Sequence, residues 1–284
     1  MRKILILGSS GMLGSSLFRN LSEDYEIIGI QRSESSDSRI IDGVDVSDFS
    51  NVAHKITEVM PDVVINCIGV VKQKSEINNV LNTVPINTLL PHQLAELTEE
   101  ISARLIHFST DCIFDGKDGM YKDNEMLSAK DIYGVSKYFG EVGDKKHVLT
   151  IRTSIIGHGV KPNSSLVDWF LAQEGTVKGF SNAYFSGLPC SEISEILDKW
   201  IIPNETIYGI YNISVDKIDK YSLLKIIKKI YKKKIKIVID DGFKIDRSLN
   251  SERFRAKTGY RSKTWTQLVE EMKIKDFGVS NVQQ

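Results

Sequence analysis

The chain has 284 residues, 41% hydrophobic and 26% charged, an ordinary globular composition that can bury a sizeable core. Its 37 Lys+Arg balance its 37 Asp+Glu, so nothing in the charge points to a nucleic-acid polymer or an anionic membrane. No stretch approaches the ~18 apolar residues of a membrane span, the first apolar run (4–7) is too short for a signal peptide, and three scattered cysteines make no disulfide framework or Cys-x2-Cys metal pattern. A cytoplasmic protein with reduced thiols is expected.

KILILG (3–8) reads as a buried parallel strand ending in glycine. Residues 12–21 then carry helical spacing, with Leu13, Leu17 and Leu21 on one side. YEIIGIQ (25–31) is a second strand, and RIIDGVDV (39–46) holds a short third. Ser47-Asp48 can cap a helix running to Met60, where Pro61 stops it. DVVINCIG (62–69) is another strand, followed by a helical region over 84–100. ARLIHFST (103–110), a helix containing DIYGVSKYFGE (131–141), and HVLTIRT (147–153) complete the pattern. Strand and helix alternate about six times, which implies an α/β doubly wound, Rossmann-type parallel sheet.

Beyond Thr153 the rhythm loosens. A loop is expected over 158–165, a helix over 166–173, loop and short strand over 179–189, and a capped helix over 191–201. GIYNIS (209–214) is a strand that can return to the main sheet. A helix over 219–231 and the strand KIKIVID (234–240) follow, then short helices over 249–257 and 266–272 and a polar tail, GVSNVQQ. The expected division is a cofactor-binding Rossmann domain over 1–160 and a smaller C-terminal substrate-binding region over 161–284, of which 205–232 rejoins the sheet. The basic run KIIKKIYKKKIKI (225–237) is read as a helix with Ile226, Ile227 and Ile230 inward and lysines in water.

GSSGMLG (8–14) lies between a strand and a helix, the context of a dinucleotide-binding turn. Gly8 suits the tight turn, Gly11 the approach of a pyrophosphate, and Gly14 close helix–strand packing. Ser10, Met12 and Leu13 share this loop and helix start, whose N–H groups and dipole favour phosphate. The P-loop Gly-Lys-Ser/Thr ending is missing, so a dinucleotide is expected rather than ATP. At the end of the second strand no carboxylate awaits a ribose 2′-hydroxyl. Arg32 stands there instead and can pair with a 2′-phosphate, which favours NADP(H) and leaves NAD(H) open. Asp45 and Val46 sit where an adenine contact is expected, although Asp45 could equally cap a helix.

Tyr-x3-Lys occurs twice, as Tyr133/Lys137 and Tyr221/Lys225. Only the first follows a strand, ending in Ser109-Thr110-Asp111, whose carboxyl end should share a cleft with the glycine loop and the Asn66–Gly69 turn. An ammonium one helical turn from a phenol lowers its pKa, and Thr110 can hydrogen-bond a reacting oxygen.

In order along the chain, GSSGMLG, NCIG, STD and YGVSK resemble the extended short-chain dehydrogenase/reductases. STDCIFDGKDGMY (109–121), TIRTSIIG (150–157) and Asn87 are most similar to the dTDP-4-dehydrorhamnose reductase family, over residues 1–157 in particular. The resemblance implies a catalytic trio of Thr110, Tyr133 and Lys137, and reduction by NADP(H) of the C4 keto group of a nucleotide-linked 4-keto-6-deoxy sugar for surface polysaccharide synthesis. Cys67, Ile68, Gly69 and Asn87 would join the cofactor site. Lys72, Asp111, Trp169 and Arg247 are substrate-binding candidates, with the base on Trp169 and the diphosphate on Arg247. The ending DRSLNSERFRAKTGYRSKTW (246–265) looks more like reductases of UDP-linked N-acetylated 6-deoxy sugars, so dTDP and UDP both stay open. The regulatory subunit of methionine adenosyltransferase resembles the same family, so a non-catalytic NADP-binding subunit is an alternative; a nucleotide-sugar epimerase or dehydratase is another. The dehydratase reading is weakened because Cys112, not Glu, follows Asp111. A homodimer is compatible with all of these, and no carboxylate cluster with metal-ligand spacing is seen.

Overall fold

A computed structural model describes residues 1–21, 23–71, 75–160 and 165–276. The first half alternates as β1 (Arg2–Leu7), α1 (Met12–Asn20), β2 (Tyr25–Ile30), β3 (Ile40–Ile41), α2 (Phe49–Val59) and β4 (Val63–Asn66). It continues with α3 (Val80–Val84), a π-helical turn (Pro85–Leu89), α4 (Leu90–Glu100), β5 (Arg104–Phe108), α5 (Ile132–Phe139) and β6 (Val148–Arg152). The second half holds β7 (Ile155–Ile156), α6 (Leu166–Ala172), β8 (Thr176–Phe185), β9 (Leu188–Pro189), α7 (Cys190–Ile196) and β10 (Gly209–Asn212). It ends with β11 (Ile218–Asp219), α8 (Lys220–Ile230), β12 (Lys236–Asp246), α9 (Glu252–Thr258) and α10 (Trp265–Asp276).

The main sheet runs β10-β6-β5-β4-β1-β2-β3 with every pair parallel. Strand order reverses between β1 and β4, the point at which such sheets open a crevice beyond their carboxyl ends. The apolar runs read from sequence are explained by burial on both faces. Ile4, Ile6 and Ile65 face one core and Leu5, Leu7 and Val64 the other. Each such side chain contributes roughly 1.5–3 kcal/mol on leaving water.

Several local expectations change. The helical region over 84–100 is interrupted at Pro85, which has no N–H for the helical ladder, and a π-helical turn follows that carries Asn87 into the interior. Residues 179–189, expected as loop and short strand, belong instead mostly to the ten-residue β8. TVKGFSNAYF is a weak β-former in isolation; pairing with β11 and β12 supplies the difference. Gly179 marks no turn there: a side chain would press within 2.9 Å of the Tyr221 Cα of α8. The helix expected over 191–201 starts at Cys190 after Pro189 without a side-chain cap, and closes in a π-helical turn, Leu197–Ile201. Strand β12 continues past Asp240 through an irregularity to Asp246. Asp48, not Asp45, caps α2, accepting from the Asn51 N–H at 3.2 Å. In α8, Ile227 is buried and Ile226 and Ile230 pack against the core, while Lys225 and Lys229 stay exposed. The polar tail and Lys72 lie outside the described residues.

Although no carboxylate cluster is visible in the sequence, the fold gathers Glu192, Glu195 and Glu271. Lys263 Nζ fills it, at 2.8, 2.7 and 2.7 Å from the three. These charges come from α7, α10 and the segment between α9 and α10, which is why spacing along the chain hides them. Among the described residues no helix is long and apolar enough to cross a membrane.

Candidate active site

The glycine loop is built as its spacing requires. Gly8 has φ +85°, a region that favours glycine, and its N–H donates to the Ile30 carbonyl of β2 at 2.8 Å. A side chain on Gly14 would collide with the Gly8 carbonyl oxygen. Gly11 is the N-cap of α1 and offers no side-chain cap, so the first N–H groups of the helix face the loop unsatisfied by it. Ser10 and Gly11 are exposed, Met12 is half-buried, and the Leu13 side chain is core, leaving its backbone to meet a ligand. These features fit a dinucleotide pyrophosphate. Ser9 fastens the loop to the second strand through its Oγ and Gln31 Oε1, 3.1 Å apart.

Past that strand, the Arg32 side chain is 80% exposed and its Nη1 lies 3.9 Å from Asp45. Asp45 Oδ1 accepts from the Ser47 N–H and Oγ at 2.9 and 2.8 Å, bonds that hold its pKa below the usual range with help from Arg32. Val46 packs partly against the second core. Arg32 is thus free to turn toward a phosphate on the rim.

The NCIG turn ends β4 beside the lysine of α5. Asn66 fixes it by accepting from the Ile68 N–H at 3.0 Å, and Cys67 donates its own N–H to Leu7 at 3.0 Å. Burial raises the Cys67 pKa far above the usual thiol range, so it is a thiol. Ile68 packs over Gly8, and Gly69 runs alongside Asn87 and the Lys137 amine. Asn87 binds the Val70 N–H through Oδ1 at 2.8 Å, and donates to the Val70 carbonyl at 3.0 Å and to Ser136 Oγ at 3.2 Å. It therefore pins the turn to α5 without a direct bond to Lys137.

Helix α5 is capped by Asp131, which accepts from the Gly134 N–H at 3.1 Å. Gly134 and Gly140 let the helix press against the Cys112 and Asn87 carbonyls, where side chains would collide. This docking sets Tyr133 against the Thr110 turn. The Thr110 hydroxyl also reaches Asp111 Oδ1 at 3.2 Å and accepts from the Cys112 N–H at 3.1 Å. Arg247 closes the cluster: its Nε donates to the Phe114 carbonyl at 2.8 Å and its Nη1 lies 3.9 Å from Cys112 Sγ. Burial raises the pKa of Asp111 above the usual carboxyl range, against Arg247 and hydrogen bonds from Cys112, Thr110 and Ser154.

One expectation is reversed here. The Tyr133 pKa is raised, chiefly by burial and then by Cys112, against the nearby Thr110 hydroxyl. The Lys137 Nζ donates to the Phe108 carbonyl at 2.7 Å. Burial lowers Lys137 to about 8, against Glu141, which holds it up.

Thr110, Tyr133, Asp111 and Arg247 are thus one cluster, and Lys137, Cys67, Gly69 and Asn87 an adjoining one. Trp169 is 38% exposed on α6, and among the described residues no hydrogen bond or ring contact joins it to either. Tyr221 and Lys225 form an amine-over-ring contact at 5.3 Å against β8, remote in kind from the site. Ser136, Ser154 and Glu141 contribute contacts that were not read from sequence; Glu141 closes the very stretch that holds Tyr133, but its partners Ser109 and Arg152 lie on other elements.

A family model described as RmlD substrate binding domain matches residues 1–171. The spore coat polysaccharide biosynthesis protein SpsK of Bacillus subtilis is 30% identical over 165 residues, 56% of this chain and 55% of that protein, so the match spans just over half of its length. The dTDP-4-dehydrorhamnose reductase of Aggregatibacter actinomycetemcomitans is 26% identical over 225 residues, 75% of this chain and 73% of that one. Among solved structures, dTDP-4-dehydrorhamnose reductase from Bacillus anthracis in complex with NADP superposes with a TM-score of 0.81, covering 96% of this chain and 99% of that chain. At 21% identity that likeness shows the fold alone.

Proposed function

The chain belongs to the RmlD substrate binding domain family, and from that premise we propose that it is an NADP(H)-dependent reductase of the C4 keto group of a nucleotide-linked 4-keto-6-deoxy sugar. The observation that carries the reading is the Thr110–Tyr133 cluster adjoining the buried Lys137, which the NCIG turn links to the glycine loop. A chain that only bound the cofactor would not need it.

NADPH, when bound, supplies the hydride that adds to the sugar carbonyl carbon. Thr110 orients the carbonyl oxygen by hydrogen bonding. Tyr133, whose pKa burial raises, holds its proton at neutral pH and gives it to that oxygen as the C=O π bond becomes an alkoxide. Lys137 anchors the nicotinamide ribose and is the charged neighbour for the phenolate left behind. Arg32 takes the 2′-phosphate and favours NADP(H) over NAD(H). Asp111 and Arg247, close to Thr110, bind the substrate, with Arg247 toward its diphosphate. Trp169 serves the nucleotide base, and Lys72 remains a substrate-binding candidate.

NADPH consumption with dTDP- and UDP-linked 4-keto-6-deoxy sugars, with and without a 3,5-epimerase, tests this proposal. Oxidation with one nucleotide series supports it and names the nucleotide. Tight NADPH binding with no turnover across the panel counts against it and favours the non-catalytic subunit.

A further inference from the structure

Glu141 lies just past the end of α5, after its C-cap Gly140. Its carboxylate is locked from two sides. Arg152 of β6 grips it with two bonds, Nε to Oε1 at 2.8 Å and Nη2 to Oε2 at 2.7 Å. The Ser109 hydroxyl donates to Oε1 at 2.6 Å. The two charged side chains are only 3% and 2% exposed. A buried pair of this kind is weak evidence for stability, because desolvation offsets its attraction, so its placement asks for another reason. Ser109 follows Phe108, whose carbonyl holds Lys137 Nζ, and precedes Thr110. The carboxylate and the lysine amine are thus tied to consecutive residues at the end of β5.

We propose that Glu141 is a positioning residue for Lys137: a fixed, buried carboxylate that keeps the lysine amine charged and in place at the end of β5. The inference rests on the reductase reading, which gives Lys137 its work. The other groups facing the amine cannot do this. His107 of β5 is neutral, its pKa far down through burial and Lys137 itself, and Cys67 after β4 is a thiol; Asn87 and Ser136 carry no charge. Arg152 fixes the direction of Glu141 through both carboxylate oxygens. Burial draws Lys137 down to about 8, and Glu141 is the foremost group opposing it.

The test follows the Lys137 side-chain nitrogen by NMR against pH in cofactor-free, 15N-lysine-labelled protein, the signal assigned by its loss in Lys137→Met. Glu141→Gln should move the midpoint down by about one pH unit or more, and Glu141→Asp should keep it near the wild-type value. Since Glu141→Gln strands a buried guanidinium, Glu141→Gln/Arg152→Met is titrated beside it, with a smaller shift in the same direction expected because the opposing guanidinium charge goes too. An unchanged midpoint in whichever neutralised variant folds overturns the proposal, as does an Asp variant that shifts like Gln. Failure of NADPH turnover in the wild type would count against the reductase reading and leave this titration standing.

Discussion

Burial acts in opposite directions on the two residues of the Tyr-x3-Lys pair: it keeps the Tyr133 proton on and makes the Lys137 proton easy to lose. The sign of the pH dependence follows. Lys137 is charged below about 8 and neutral above it, so kcat/KM should fall as pH rises through about 8 in the free enzyme, while Tyr133 stays protonated throughout. Rates measured between about pH 6 and 10 check this, and a flat profile would separate Lys137 from the reaction. Arg32 is exposed and paired only loosely with Asp45, so Arg32→Ala should leave stability untouched. It should weaken NADPH binding about tenfold or more, in keeping with the loss of one charge-assisted contact, with NADH unaffected. Fluorescence titration with both cofactors reads the difference.

At the scale of elements, the site is where three strand ends and one helix meet, and glycines decide how closely they do so. Gly14→Ala drives a methyl into the Gly8 carbonyl. It should abolish measurable NADPH binding and lower the melting temperature, because the α1 start and the loop cannot both keep their places; circular dichroism and cofactor titration check the two effects. The β1–loop–α1 unit was legible from sequence because its signals are local: an apolar run, three glycines at fixed spacing and a leucine stripe. The Tyr133/Lys137 helix could be preferred over Tyr221/Lys225 because only one of them follows a strand whose end joins the crevice. Strand β8 was not legible, since Gly179, Ser181 and Asn182 are poor strand formers and its partner β12 lies more than fifty residues away. The reversal of the Tyr133 pKa was hidden for a similar reason. Its acidic neighbours Asp111 and Cys112 come from another element, and spacing on α5 says nothing of them.

For the molecule as a whole, the C-terminal half shares an apolar core with the cofactor half and is itself stitched by charge. Lys263 neutralises Glu192, Glu195 and Glu271 and so joins α7 to α10. Burial would raise Glu195, but bonds from Lys199 and Lys263 hold it at about 2. That contribution to stability is present above the ordinary carboxyl pKa of about 4.3 and lost as pH falls toward about 2. Lys263→Met should destabilise the protein by ~3 kcal/mol at neutral pH, with the deficit shrinking in acid, as thermal melts at several pH values would show. The central claim remains that Tyr133 gives the proton that completes reduction of a sugar ketone. Its most direct test compares wild type and Tyr133→Phe for NADPH oxidation on the best nucleotide-linked 4-keto sugar, with NADPH affinity measured on both. The account predicts equal affinity and a rate reduced by about 10²–10⁴-fold; a variant that turns over at the wild-type rate would contradict it.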